Sequence, residues 1–261
     1  MSHATDSSPS AAPRQAGLNP LGGQSAQLGD RGSYVRRRGE LETYFDRTAA
    51  QAWARLTSTA PVGRVRATVR AGRDRMRSTL LSWLPQDLRG RRILDAGCGT
   101  GALAVEAARR GADVVAIDLS PTLVNLARER LPESLGSGSI DFRSGDMLDA
   151  ALGRFDHVVA MDSLIHYRAT DIVGALSRLA ARTSTSIVFT AAPRTPATML
   201  MLGVGRLFPR GDRSPAIEPV APATLRALME KDQSLTHWQT GRFELITGGF
   251  YKSQAIEWSQ R

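Results

Sequence analysis

One short run constrains this chain more than any other: R-R-I-L-D-A-G-C-G-T-G, from Arg91 to Gly101. Two apolar residues, Ile93 and Leu94, end in a carboxylate, Asp95. Gly97, Gly99 and Gly101 then alternate ahead of the alanine-rich A-L-A-V-E-A-A-R-R. The pattern predicts a buried strand, a tight turn and the start of a helix. Glycine has no Cβ, so such a turn can take positive φ angles and let a flat ligand lie against bare backbone. Asp95 then falls at the carboxyl end of its strand, in the crevice where open α/β sheets bind ligands.

Strand and helix alternate on both sides of this turn. Residues 1–32, rich in Ser, Ala, Gly, Gln and Pro, read as a disordered leader. Residues 33–88 read as a helical cap, with Leu41, Tyr44, Phe45, Thr48 and Ala52 on one stripe and a second helix after Pro61 carrying Val65, Val69, Met76, Leu80 and Leu84. The arginines of that second helix, Arg64, Arg66, Arg70, Arg73, Arg75 and Arg77, read as a solvated face, with the alternative that one or two of them meet substrate carboxylates. From residue 89 to 261 the spacing predicts a single domain. Its helix after the glycine turn stops at Gly111, and a strand ends at Asp118. Ser120 and Pro121 open the next helix as N-cap and first-turn proline, with Leu123, Leu126, Ala127 and Leu131 as its buried stripe. S-I-D-F-R, F-D-H-V-V-A-M-D and S-I-V-F-T-A-A are further strands, and two late strands fall around Leu235–Glu244 and Phe250–Trp258. Such alternation implies a parallel sheet with right-handed crossovers. The rhythm breaks over 193–219, where an apolar stretch bracketed by Arg194, Arg206, Arg210 and Arg213 reads as a lid over a large apolar ligand, a foot on a membrane, or one more packed helix.

Composition sets limits. The 261 residues carry a formal charge of +9, and all but Lys231 and Lys252 of the 34 basic residues are arginine. That skew reads mainly as base composition, although a basic surface favours acidic partners. Cys98 is the only cysteine, which excludes an internal disulfide and a multi-cysteine metal site. No segment approaches the roughly 20 apolar residues of a membrane span, and the start lacks a signal-peptide pattern, so the expected compartment is cytoplasmic.

Two cofactors compete for the turn. Gly97, Gly99 and Ala102, with Asp118 at the end of the next strand, also fit the dinucleotide pattern G-x-G-x-x-G/A. A carboxylate two residues before the first glycine would repel a pyrophosphate at close range. S-adenosylmethionine instead carries a sulfonium and an ammonium and no phosphate. D-x-G-x-G-x-G resembles motif I of the class I S-adenosylmethionine-dependent methyltransferases. The resemblance implies a Rossmann-like seven-stranded sheet of order 3-2-1-4-5-7-6, mostly parallel with an antiparallel last strand, a helical cap before it and an insertion after the fifth strand. It also implies a cofactor cradle. Asp95, Gly97, Cys98, Gly99 and Gly101 would hold the methionine part, and Asp118, beside Leu119, the ribose hydroxyls. Asp146 would take the adenine amino group, while Met147 and Met161 supply apolar walls. Cys98 is a small filler in the turn. The D-P-P-Y or N-P-P-Y signature of nucleic-acid amine methyltransferases is missing from M-D-S-L-I-H-Y, Met161 to Tyr167, which counts against a nucleic-acid substrate.

Longer strings carry a closer likeness. Y-F-D-R-T-A-A-Q-A-W-A-R-L-T-S from Tyr44, A-T-V-R-A-G-R-D-R-M-R from Ala67, M-D-S-L-I-H-Y, and the insertion's A-P-R-T-P and G-R-L-F-P-R-G-D-R-S-P-A-I-E-P together resemble the magnesium protoporphyrin IX methyltransferases of bacteriochlorophyll synthesis. The likeness runs from about Leu41 to Trp258. It implies methyl transfer from S-adenosylmethionine to the 13-propionate of magnesium protoporphyrin IX, leaving the monomethyl ester and S-adenosylhomocysteine. It makes Tyr44 and His166 the catalytic pair, and it implies no protein-bound metal, because magnesium arrives in the ring. The porphyrin-binding subunit of magnesium chelatase and a peripheral contact with the photosynthetic membrane follow as expected partners. Three alternatives stay open at this point: a methyltransferase for another lipophilic acid or quinone-type phenol, a nicotinamide oxidoreductase, and a silent porphyrin carrier.

Overall fold

The computed structural model describes residues 1, 24–47, 57, 63–196, 198–199 and 216–261. Helix α1 spans Gln24–Arg47 and α2 Arg64–Ser82. The sheet then begins with β1 (Arg92–Ala96), α3 (Ala102–Arg109), β2 (Asp113–Asp118), α4 (Pro121–Glu129) and β3 (Ser139–Ser144). It continues through β4 (Phe155–Ala160), α5 (Ala169–Ala180), β5 (Thr183–Ala191), α6 (Pro222–Lys231), β6 (Trp238–Gly248) and β7 (Tyr251–Gln260). The seven strands lie in the order β3-β2-β1-β4-β5-β7-β6. All neighbours are parallel except β7, which is antiparallel to both β5 and β6.

Strand side chains alternate between faces, and the core divides accordingly. Leu94, Val158, Ile187 and Phe189 point to one side, where α1, α5 and α6 add Leu41, Ile172, Leu176 and Leu225. Ile93, Val159 and Val188 point to the other, where α2, α3 and α4 add Met76, Leu80, Leu103 and Val124. Because β1 and β4 are buried on both faces, their apolar runs are nearly continuous, as central parallel strands require. The crossover changes direction between them. That switch point opens a crevice at the carboxyl ends of the strands.

Several local readings shift. Helix α1 begins at Gln24, inside the stretch read as a disordered leader, and residues 2–23 lie outside the described residues. Thr48 and Ala52 of the expected stripe also lie outside them. On α2, Val65 is exposed, so the buried stripe starts later than its spacing implied. In α4 the N-cap is as expected: Ser120 Oγ accepts from Leu123 N at 3.2 Å, and Pro121 occupies the first turn. Its buried face, however, is Leu123, Val124 and Ala127. Leu126 is half-buried and Leu131 is exposed, because the helix ends before Leu131. The insertion leaves and returns at one place, where Val220 N donates to Ala192 O at 2.9 Å and Pro193 bridges Val220. Residues 200–215, which hold most of the expected apolar lid, lie outside the described residues.

Phe189, fully buried in β5, packs in the layer against α5 and α6. Phe189→Ala is expected to lower unfolding stability by about 3–5 kcal/mol, as measured by the urea midpoint of the purified protein.

Candidate active site

The carboxyl ends of β1, β2 and β4 open onto a cavity of about 530 Å³. The glycine turn forms one end. Gly97, Gly99 and Gly101 have φ of 90°, 53° and 78°, the left-handed region that a Cβ disfavours. A Cβ on Gly97 would meet Ser163 Cβ at 2.4 Å, and one on Gly101 would meet the Phe142 ring at 2.9 Å. Gly99 has open space around it, so here a ligand can approach bare backbone. Gly97 N and Cys98 N both donate to Ile117 O, at 2.8 and 2.9 Å, and so fasten the turn to β2.

Two acids stand beside this turn. Asp95 is 1% exposed, and its Oδ2 has no hydrogen-bond partner among the described residues. Burial pushes its carboxyl up to about 7, and the neighbouring Asp118 carboxylate adds to the push. Asp118 accepts from Gly99 N at 2.8 Å and Ser120 N at 3.0 Å; burial raises it, and these backbone donors oppose the rise. Buried carboxylates without a countercharge are costly. The pocket is therefore short of a cation, which a sulfonium with its ammonium provides and a pyrophosphate does not. Ser163 lines the same cavity, and its Oγ too has no partner among the described residues. Leu119, Met147, Met161 and the small, buried Cys98 complete the lining near the turn.

His166 faces the cavity from the single turn Leu164–His166 that follows β4. Burial holds its imidazole down at about 4, and Arg37 works in the same direction. Nδ1 lies 3.4 Å from Ala216 O, a carbonyl, so it is the protonated nitrogen and Nε2 keeps its lone pair. Arg37 Nε donates to His166 O at 2.8 Å and its Nη2 to Ala216 O at 3.0 Å, which fixes this turn against α1. His157, on β4, is buried and bonds Ser186 Oγ at 2.7 Å.

Three placements differ from the sequence reading. The first is Tyr44, which the resemblance paired with His166. Tyr34, Leu41 and Phe45 form the face of α1 that lines the cavity, and Phe45 meets the His166 ring edge-on at 5.7 Å. Tyr44 is packed against Phe45, about 100° round the helix from it, and does not line the cavity. The second is Asp146. Its Oδ1 accepts from Tyr34 OH at 2.8 Å and Leu148 N at 2.9 Å, and its Oδ2 from Arg38 Nη1 at 2.7 Å. It ties α1 to the end of β3, while Gly145 and Met147 on either side line the cavity. The third is the arginine face of α2: Arg70, Arg73 and Arg77 line the cavity and are partly buried, whereas Arg64, Arg66 and Arg75 are exposed.

Asp162 was missed altogether. At φ 54° it is the non-glycine with positive φ among the described residues, and its carboxylate takes bonds from Arg73, Tyr251 and Thr190. Nothing in M-D-S signals a left-handed residue. Tyr34 could have been found, because it lies seven residues before Leu41 on one helical stripe. Among the described residues no group of three His, Cys, Asp or Glu is placed to hold a metal ion.

Sheet order, glycine turn and buried acid pair together define a class I S-adenosylmethionine-dependent methyltransferase. Residues 93–185 match a methyltransferase-domain family model, and residues 160–260 match the model described as magnesium-protoporphyrin IX methyltransferase C-terminus. A magnesium-protoporphyrin O-methyltransferase of Rhodobacter capsulatus is 50% identical over 226 residues, covering 86% of this chain and 97% of that protein. The chain belongs to the magnesium protoporphyrin IX methyltransferase family. The chloroplastic enzyme of Arabidopsis thaliana is 30% identical over 83% of this chain and 69% of its own length. The crystal structure of magnesium protoporphyrin IX methyltransferase from Synechocystis PCC 6803 with bound SAH shares the fold, with a TM-score of 0.74 at 24% identity over 85% of this chain and 99% of that one.

The acid pair makes a signed prediction. Unfolded, Asp95 loses its proton near the ordinary value of about 4; folded, it keeps it up to about 7. Between those values the folded state binds more protons, so stability falls as pH rises through this window and stays lower above it. Asp95→Asn removes that loss. The ligand-free variant is expected to melt higher than wild type at pH 8, by a margin that shrinks towards pH 5, while S-adenosylmethionine ceases to raise its melting temperature. Thermal scans at the two pH values check both halves.

Proposed function

We propose that this protein transfers the methyl group of S-adenosylmethionine to a propionate carboxylate of magnesium protoporphyrin IX, releasing the monomethyl ester and S-adenosylhomocysteine. The observation that carries this reading is the buried pair Asp95 and Asp118 beside the glycine turn, in a cavity whose walls combine apolar and aromatic side chains with the arginines of α2. Asp95 and the turn would hold the methionine end of the cofactor and Asp118 the ribose. Gly145, Met147, Leu119 and Met161 would wall the adenine and the sulfonium. Asp146 would reach the adenine amino group only by sharing the oxygens it now gives to Tyr34 and Arg38.

In the reaction a carboxylate oxygen attacks the methyl carbon, a C–O bond forms, and the S–C electron pair returns to sulfur. A propionic acid titrates like a glutamic acid, near 4 in water, and rises when it leaves water for an apolar cavity. Part of it therefore enters undissociated. His166 is neutral and presents an Nε2 lone pair, so it accepts a hydrogen bond from that acid and takes the proton only as the C–O bond forms, when the methylated carboxyl has become a stronger acid than imidazolium. The rest of the catalytic gain comes from holding the two reactants in line and keeping water out. The 13-propionate is the reacting group on this reading. Tyr44, the partner of His166 on this reading, would close over the cofactor.

Two further proposals concern surroundings. The porphyrin is received from the porphyrin-binding subunit of magnesium chelatase, at the cytoplasmic side of the photosynthetic membrane. No helix of the described residues is long and apolar enough to cross a bilayer, so contact there is peripheral. Exposed Phe243 and Leu245 on β6 and Phe250 in the β6–β7 turn support such a surface.

Incubation with magnesium protoporphyrin IX and methyl-labelled cofactor tests the reading directly: labelled monoester supports it, and cofactor binding without any ester formed refutes it. His166→Ala is expected to cut kcat about a hundredfold or more with cofactor affinity unchanged, checked by single-turnover kinetics and calorimetry. Tyr44→Phe is expected to lower kcat as well; unaltered kinetics would remove that hydroxyl from the mechanism.

A further inference from the structure

Along α2, Arg70, Arg73 and Arg77 repeat at i, i+3 and i+7 and present three guanidinium groups to one wall of the cavity. Asp95 and Asp118 line the same cavity, by the glycine turn. The arginine wall is built rather than incidental. Arg73 Nη1 donates to Asp162 Oδ2 at 2.6 Å, and that carboxylate also receives Tyr251 OH at 3.1 Å and Thr190 Oγ1 at 3.3 Å. Gly72 makes room for the Tyr251 ring, which a Cβ there would meet at 2.6 Å. Arg77 is anchored to Glu106 at 2.8 Å and Asp74 at 3.1 Å. Strands β4, β5 and β7 thus hold one side of α2 against the cavity.

A substrate with two propionates needs two unlike places for them. The reacting carboxylate has to keep its electron density, and a guanidinium clamp would stabilise the ground-state anion more than the transition state, in which that charge is being lost. The wall formed by Tyr34, Tyr167 and neutral His166 provides an uncharged setting for it. The second carboxylate stays ionised throughout and, once out of water, requires a cation.

We propose that Arg70 and Arg73 form the subsite for the propionate that is not methylated, so that α2 selects a dicarboxylic porphyrin and decides which carboxylate meets the sulfonium. The proposal rests on the porphyrin carboxyl methyltransferase reading above. The arginine wall holds a permanent anion and the histidine wall a transient one.

Binding of two esters isolates this subsite from turnover. Magnesium protoporphyrin monomethyl ester keeps the second carboxylate, and the dimethyl ester has none. Titrated by porphyrin fluorescence into protein loaded with S-adenosylhomocysteine, the monoester is expected to bind wild type about tenfold more tightly than the diester. Arg70→Gln and Arg73→Gln should each close most of that gap. Arg70→Lys should keep most of it, and Arg66→Gln, exposed and away from the cavity, should leave it whole. Equal binding of the two esters by wild type, or a full gap in both glutamine variants, overturns the subsite. A wild-type protein that forms no ester from the diacid overturns instead the reading on which the subsite rests.

Discussion

Two carboxylates held inside an apolar crevice, without a side-chain cation against them, set the terms for this molecule. Asp118 is met by backbone N–H groups, and one oxygen of Asp95 is met by nothing among the described residues. Such an arrangement raises the free energy of the folded chain, and it persists only because the strands that carry the acids cannot relax. Ile93 and Leu94 precede Asp95 on β1, each buried in a different core layer, and Ala116 and Ile117 precede Asp118 in the same way on β2. The turn between them is pinned by two bonds to Ile117 O. The packing of the sheet thus offsets the cost of an unneutralised site. The binding energy of a cationic ligand is increased by as much as the ligand relieves.

Helix α1 is fastened to every side of that crevice. Asp46 near its end receives Ser120 Oγ at 3.1 Å and Thr122 Oγ1 at 2.7 Å, at the start of α4. Tyr34 and Arg38 grip Asp146 after β3, and Arg37 grips the turn that carries His166. Tyr34 also stacks on Tyr167, with ring centroids 4.9 Å apart. The cover of the cavity, the adenine end of the cradle and the base therefore share one helix, and a shift of α1 is felt at all three.

Much of this was legible in the sequence, for identifiable reasons. β1, the glycine turn and α3 are local: apolar run, positive-φ glycines and alanine-rich helix lie within twenty residues and need no distant partner to be recognised. Asp95 and Asp118 follow from their places at strand ends. The directions in which Tyr44 and the arginines of α2 face were not legible, because which face of an amphipathic helix meets a cavity is decided by the surface it docks on. For α1 that surface is α4, α5 and the turns after β3 and β4; for α2 it is the β6–β7 side of the sheet, far away in sequence. Asp162 was illegible because the partners of its carboxylate, Arg73, Tyr251 and Thr190, come from three separate elements. The leader boundary failed for a different reason: composition alone cannot see a polar helix such as Gln24–Arg47.

The strand that comes last in the sheet's sequence order, β7, does not take an edge. It inserts between β5 and β6, pairing Ile187 with Trp258 and Phe189 with Ile256 on one side and almost all of β6 on the other. On the ribosome, then, β5 must wait with an open, strongly apolar flank until the β6–β7 hairpin has been made and can slot in whole. Until then the unpaired edge of β5 is open to strand-pairing with a neighbouring chain.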